Sequence, residues 1–386
     1  MRQIHKNILL ALITTIYLAS CARASNPPST SFPKTATIEP DITQTPYPSN
    51  ADFVQIAWFY KPPAEEFYSI LSSKFDKFIL TNHDEEERDK MRALGLKAPV
   101  YQYLLLASIQ DPGSCEKEPY GNQVANRPGD FCRISTEHSD WFLLDAFGQR
   151  ITSDGNYYAM DPGNEEYRAF WLERAKEIQD QYQWDGIFID NAEGSLSKFK
   201  RKMVILANYP DDESFQSAVE GFLAYLDQNY FSPEGRPVIA NIVEMEDNEV
   251  WFRYLQHLDG AMLENFAVDW NNYYSQKEWV EQISMLAMTQ SMKKSILLIA
   301  QGSKDDLQKE LFSFATYLLL SDGDTSFRYT NYESYREVWW YDNYEINLGR
   351  PTGSMYVEDG IWIRDFEKGS VQVDPLTHKG DIFVNP

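Results

Sequence analysis

In this chain of 386 residues, a few polar side chains end or interrupt strongly apolar runs. Asp190 and Asn191 close WDGIFIDN, Asn241 lies within PVIANI, and Glu264 sits in GAMLENF. Burying even a neutral polar group without a partner costs roughly 1–3 kcal/mol, and a carboxylate costs more. Each of these residues therefore needs a partner or a solvated cleft. Two carboxylates over one cavity, Asp190 and Glu264, are the equipment for cleaving a glycosidic bond. One protonates the leaving oxygen, and the other attacks the anomeric carbon or activates water there. Asn241 could hold a sugar hydroxyl or acetamido group and orient a carboxylate. Glu193 and Glu244, three residues past Asp190 and Asn241 respectively, are rival acids. The competing structural reading is a strand-end cap or an internal salt bridge.

The elements that must position these groups are eight strand-like runs: Phe53 to Tyr60, Lys77 to His83, Pro99 to Leu106, Gly186 to Asn191, Pro237 to Ile242, Gly260 to Phe266, Ser295 to Gly302 and Thr325 to Thr330. Helical patterns alternate with them, over about Asp84 to Leu94, Glu165 to Tyr182, Ser214 to Asn229, Lys277 to Met292 and Asp305 to Leu320. In the second of these, Tyr167, Phe170, Trp171, Ala175 and Ile178 share a face and Asn164 is the natural N-cap. Strands apolar on both faces and alternating with helices indicate an α/β fold, the (β/α)8 TIM barrel, with an open doubly wound sheet as the alternative. A barrel carries its active site at the C-terminal ends of its strands, and these polar residues fall at that level. The expected organisation is a signal segment over 1–21, a Pro/Ser/Thr-rich tether over 22–50, a barrel over 51–343 and a small β appendage over 344–386.

Aromatic residues make up 15% of the chain, and rings near strand ends could stack on sugar faces or keep one carboxyl protonated by desolvation. Trp58, Tyr60, Tyr103 and Tyr329 are the ring candidates for substrate binding, with Asn191 and His83 as polar ones. The long segment between Ala107 and Asn164 reads as irregular and as a binding surface. It holds Cys115 and Cys132, expected to form a disulfide in an exported protein. No metal site is expected, since neither cysteine lies in a CxxC pair or near a histidine cluster. Asp322, Gly323 and Asp324 read as a turn. Neither a glycine-rich phosphate loop nor HExxH nor GxSxG occurs, and no cofactor is expected.

A basic start at Arg2 and Lys6 followed by an apolar run from Ile8 to Leu18 has the layout of a secretory signal, too short for a transmembrane anchor. Leu18-Ala19-Ser20-Cys21 resembles a bacterial lipobox, which implies lipidation at Cys21, a bacterial membrane as partner and a place in the cell envelope. The tether cannot bury enough apolar surface to fold. A net charge of −23 argues against nucleic acid, and a monomer acting on carbohydrate is expected.

The residues that carry a family resemblance are YAMDPGNEEYRAFW with DGIFIDN, the Asn of PVIAN, the Glu of AMLENF, and INLGRPTG followed by WIRDFEKGSVQVDP. In order and spacing they resemble the hypothetical glycosyl hydrolase barrels related to endo-α-1,4-polygalactosaminidase and to microbial exopolysaccharide hydrolases. The resemblance implies Asp190 as nucleophile or stabiliser, Glu264 as acid/base and Asn241 on substrate. A retaining route is preferred. The alternative from another class is a barrel lipoprotein that binds glycan without cleaving it, for which one of the two carboxylates could be buried in a salt bridge.

Overall fold

The computed structural model describes residues 53–385, except 154 and 271. The signal segment, Cys21 and the tether lie outside the described residues. Eight strands form one parallel sheet in chain order: β1 (Ala57–Phe59), β2 (Lys77–Thr81), β3 (Val100–Leu105), β4 (Gly186–Glu193), β5 (Val238–Val243), β6 (Gly260–Leu263), β7 (Ser295–Gln301) and β8 (Thr325–Thr330). Ile56 pairs in parallel with Phe327 of β8, which closes the sheet into a barrel. A helix follows each of the first seven strands: α1 (Tyr68–Lys74), α2 (Glu85–Ala93), α3 (Glu165–Tyr182), α4 (Asp212–Leu226), α5 (Glu249–Leu255), α6 (Gln276–Ser291) and α7 (Leu307–Leu320). Asn164 caps α3 by accepting from the Tyr167 amide at 2.9 Å, a bond worth about 1 kcal/mol.

Strand alternation assigns the two faces of the barrel wall. Phe59, Tyr103, Phe188, Ile239, Met262 and Ile299 belong to the cluster that fills the barrel. Their neighbours of opposite parity, including Trp58, Leu104, Ile187, Ile189 and Ala240, pack in the layer between strands and helices. Entry into β4 is tight. A Cβ on Gly186 would lie 2.6 Å from the Pro237 carbonyl oxygen and 2.7 Å from the Tyr101 ring. The preceding Asp185 accepts from the Val100 amide at 2.8 Å and from Arg92 at 2.9 Å, tying β3, β4 and the end of α2 together.

Two segments break the alternation of strand and helix, the first of them ending in the small β appendage expected at the C-terminus. After β8 come short 3-10 turns (Tyr332–Ser334 and Asp342–Glu345) in place of a helix, then an antiparallel sheet of β9 (Tyr356–Glu358), β10 (Ile361–Phe366), β11 (Gly369–Asp374) and β12 (Lys379–Val384). This sheet packs on α7, which is buried between it and the barrel. Arg364 of β10 donates to the carbonyls of Leu318, Leu319 and Ser321 at 3.2, 3.0 and 2.8 Å, satisfying the carbonyls left open at the end of α7. Second, the segment after β3 is ordered. Ser108–Gln110 pairs antiparallel with Tyr157–Ala159, a helix spans Asp130–Glu137, and a disulfide joins Cys115 to Cys132 across a Cα separation of 5.8 Å. The long connection thus becomes a packed cap beside the barrel mouth.

Candidate active site

The strand ends converge on a short hydrogen-bonded chain. Asp190, Asn241 and Glu264 all have the parity of the barrel-filling residues Phe188, Ile239 and Met262, so all three face inward at the C-terminal rim. Between Ile189 and Ala192 the pairing of β4 with β5 slips by one residue, and Asn191 takes a positive φ of 59°. Such a bulge re-aims side chains, and Asn tolerates the left-handed conformation better than most residues. Glu264 lies immediately past the end of β6.

Asn241 links the two carboxylates. Its Nδ2 donates to Asp190 Oδ1 at 2.9 Å and to Glu264 Oε2 at 3.0 Å, which holds those oxygens within 5.9 Å of each other. Tyr103 donates its hydroxyl to Asp190 Oδ2. Tyr335 donates to Glu264 Oε1 at 2.8 Å, and Gln301 at the end of β7 donates to the Tyr335 hydroxyl at 3.3 Å. Among the described residues neither carboxylate has an ion-pair partner of its own.

Burial raises the pKa of both acids, but their surroundings differ. Against the desolvation of Asp190 stand bonds from Tyr103, Asn241 and the Asn191 backbone, together with the charge of Lys198. Glu264 is raised by desolvation and then by the charge of Asp190, with Tyr335 and Asn241 opposing. More groups thus favour the ionised form of Asp190 than of Glu264, and the charge of Asp190 itself favours a proton on Glu264.

Glu264, Asn241 and Asn191 open into a groove of about 870 Å³ that runs over the ends of β5 and β6 to α6. The rival acids line it too, but both are engaged. Glu193 meets Lys198 at 2.5 Å, and Glu244 forms a two-point pair with Arg201.

Several expected binding residues lie elsewhere. Trp58 is fully buried, points into the strand–helix layer by its parity, packs edge-on against Phe75 and donates to the Lys61 carbonyl. Tyr329 likewise has outward parity and donates to the Ser303 carbonyl. Neither can stack on a sugar in the cleft. His83 lies in the turn after β2 with φ 83° and faces Glu118 at 3.4 Å, beside a separate depression of about 320 Å³. Tyr60 and Tyr103 do reach the site, with ring centroids 4.5 Å apart. Gln301 and Tyr335 join the site without having been expected there from the sequence. Gln301 was detectable as the polar end of SILLIAQ, whereas Tyr335 arrives from an irregular segment with no periodic signal. Asp322 is a turn residue, its carboxylate accepting the amides of Asp324 and Thr325 at 3.0 and 2.9 Å.

Comparison with known proteins gives one family match: the model of hypothetical glycosyl hydrolase family 15 matches residues 93–370. No curated protein sequence matches. Among solved structures, the glycoside hydrolase domain of PelA from Pseudomonas aeruginosa is similar at 14% identity and a TM-score of 0.48, over 74% of this chain and 96% of that one. The maltogenic alpha-amylase AmyB from Thermotoga neapolitana is similar at 12% identity and a TM-score of 0.48, over 84% and 86%. An alpha-amylase from Geobacillus thermoleovorans is similar at 9% identity and a TM-score of 0.47, over 83% and 86%.

Proposed function

Because the chain belongs to hypothetical glycosyl hydrolase family 15, we propose that it hydrolyses O-glycosidic bonds of a polysaccharide or oligosaccharide through Asp190 and Glu264. The observation that carries this reading is the single Asn241 nitrogen bonded to both carboxylates, at 2.9 and 3.0 Å, at the mouth of the barrel. It also speaks against the binding-only alternative, since among the described residues neither acid is consumed in a salt bridge. The two bonds keep one oxygen of each acid within 5.9 Å of the other, and the route we propose is the retaining one, in which the carboxyl groups stand about 5–5.5 Å apart, against about 6.5–9.5 Å for inversion.

In the first step Asp190, ionised, attacks the anomeric carbon while Glu264 gives its proton to the departing oxygen. In the second, Glu264 as base takes a proton from water, whose oxygen displaces Asp190 from the same carbon. Asn241 keeps the carboxylates in register, and Tyr335 and Tyr103 hold one oxygen of each. The test is a screen of the purified protein for reducing ends released from a panel of bacterial and fungal polysaccharides, followed by NMR of the first-formed anomer on the substrate that reacts. Retention of configuration is expected, and a product of inverted configuration contradicts the double displacement.

We further propose that the protein is exported and held by lipid on Cys21 at a bacterial membrane, acting there as a monomer. The lipobox-like sequence supports this reading. Labelling cells with an alkyne-bearing fatty acid should tag the wild type and not Cys21→Ser.

A further inference from the structure

The barrel mouth is built differently on its two sides. On the β5–β6 side lies the groove described above, which Glu264 lines. Opposite, the space over β1 and β3 is filled by rings. Tyr60 packs on Tyr103 at 4.5 Å and on Tyr335 at 6.3 Å, and Phe59 meets Tyr335 at 5.1 Å. This wall is anchored. Arg328, itself buried, donates to the Tyr335 carbonyl at 2.8 Å and lies 4.1 Å over the Trp58 ring. Lys61, next in sequence to Tyr60, sits 3.7 Å over the Tyr120 ring of the disulfide-bearing segment.

The two carboxylates are not equivalent with respect to the groove. Glu264 lines it, whereas Asp190 is set back between Tyr103 and Asn241. An acid must reach the bridging oxygen, on the leaving-group side of the scissile bond, and a nucleophile must reach the anomeric carbon of the sugar being transferred. The leaving portion therefore lies along the groove, and the transferred sugar lies against the ring wall.

We propose that the enzyme acts at chain ends, releasing single sugar units from the non-reducing end of its glycan, with Tyr60, Tyr103 and Tyr335 as the stop behind the first unit. This rests on the hydrolase reading above. The bond from the anomeric carbon to the bridging oxygen breaks, and water supplies the hydroxyl to the released sugar and the proton to the shortened chain.

The test uses the polysaccharide cleaved in the screen, together with its oligosaccharides labelled at the reducing end. The expected early product is the monosaccharide, with label retained on fragments one unit shorter and little loss of viscosity per bond cut. A folded Tyr60→Ala variant, its wall opened, should release disaccharide as well. An early ladder of intermediate fragments with a steep fall in viscosity overturns chain-end action while leaving the hydrolase reading intact. Unchanged products from Tyr60→Ala overturn the role of the wall. Absence of release from every substrate in the panel removes the hydrolase reading, and this inference with it.

Discussion

Replacing Tyr335 by Phe removes one oxygen from the site and leaves the ring in place. That oxygen donates to Glu264 Oε1 at 2.8 Å and favours the ionised form of the acid. A hydrogen bond to a charged group contributes about 1.5–3 kcal/mol, and one pKa unit corresponds to about 1.36 kcal/mol. Glu264 is partly open to the groove, so the lower end applies and its pKa should rise by about one unit. Activity requires Asp190 ionised, which sets the acid limb of kcat/KM, and Glu264 protonated, which sets the alkaline limb. Tyr335→Phe should therefore move the alkaline limb up by about one pH unit with little change in the acid limb. Tyr103→Phe, which strips a donor from Asp190, should move the acid limb up and leave the alkaline limb nearly fixed. The assay is the pH dependence of kcat/KM for the two variants and the wild type. An unmoved alkaline limb in Tyr335→Phe, or the same limb moving in both variants, refutes the assignment of acid and nucleophile.

Three further outcomes follow from the surrounding structure. Glu310 on α7 is buried against Asn343, and desolvation pushes its pKa up to about 7 from 4.5; the stability it contributes is present below pH 4.5 and lost as pH rises through 7, about 3 kcal/mol by linkage. The unfolding midpoint of Glu310→Gln should lack that part of the decline. Gly186→Ala should destabilise the fold by roughly 1–3 kcal/mol in denaturant titration, because its Cβ would meet backbone at 2.6 Å. Cys115→Ser with Cys132→Ser should expose residues 111–137 to limited proteolysis, since the disulfide closes a separation of 17 residues and contributes up to about 3 kcal/mol.

The barrel was legible because its strands are short apolar runs bounded by turns and alternating with helical stretches, among which α2 and α4 are clearly amphipathic. The inward acids were legible for the same reason, as Asp190, Asn241 and Glu264 interrupt apolar runs where only a functional or paired group is tolerated. Proximity in sequence to a strand end misled for Trp58 and Tyr329. Counting parity from Phe59 and from Phe327 places both rings on the outer layer, and composition alone cannot do so. Tyr335 was hidden, since its place over Glu264 is set by long-range contacts such as Arg328 with the Tyr335 carbonyl. The small sheet after β8 was visible as strands packed on the barrel, but not that α7 is the helix it covers.

The central claim is that Asp190 and Glu264 perform the reaction. It is tested most directly by measuring kcat of Asp190→Asn and Glu264→Gln beside the wild type on the substrate found in the screen, with circular dichroism to establish that each variant is folded. Each is expected to lose activity by about 10²-fold or more, the scale on which acid–base groups act. Wild-type turnover in either folded variant contradicts the account.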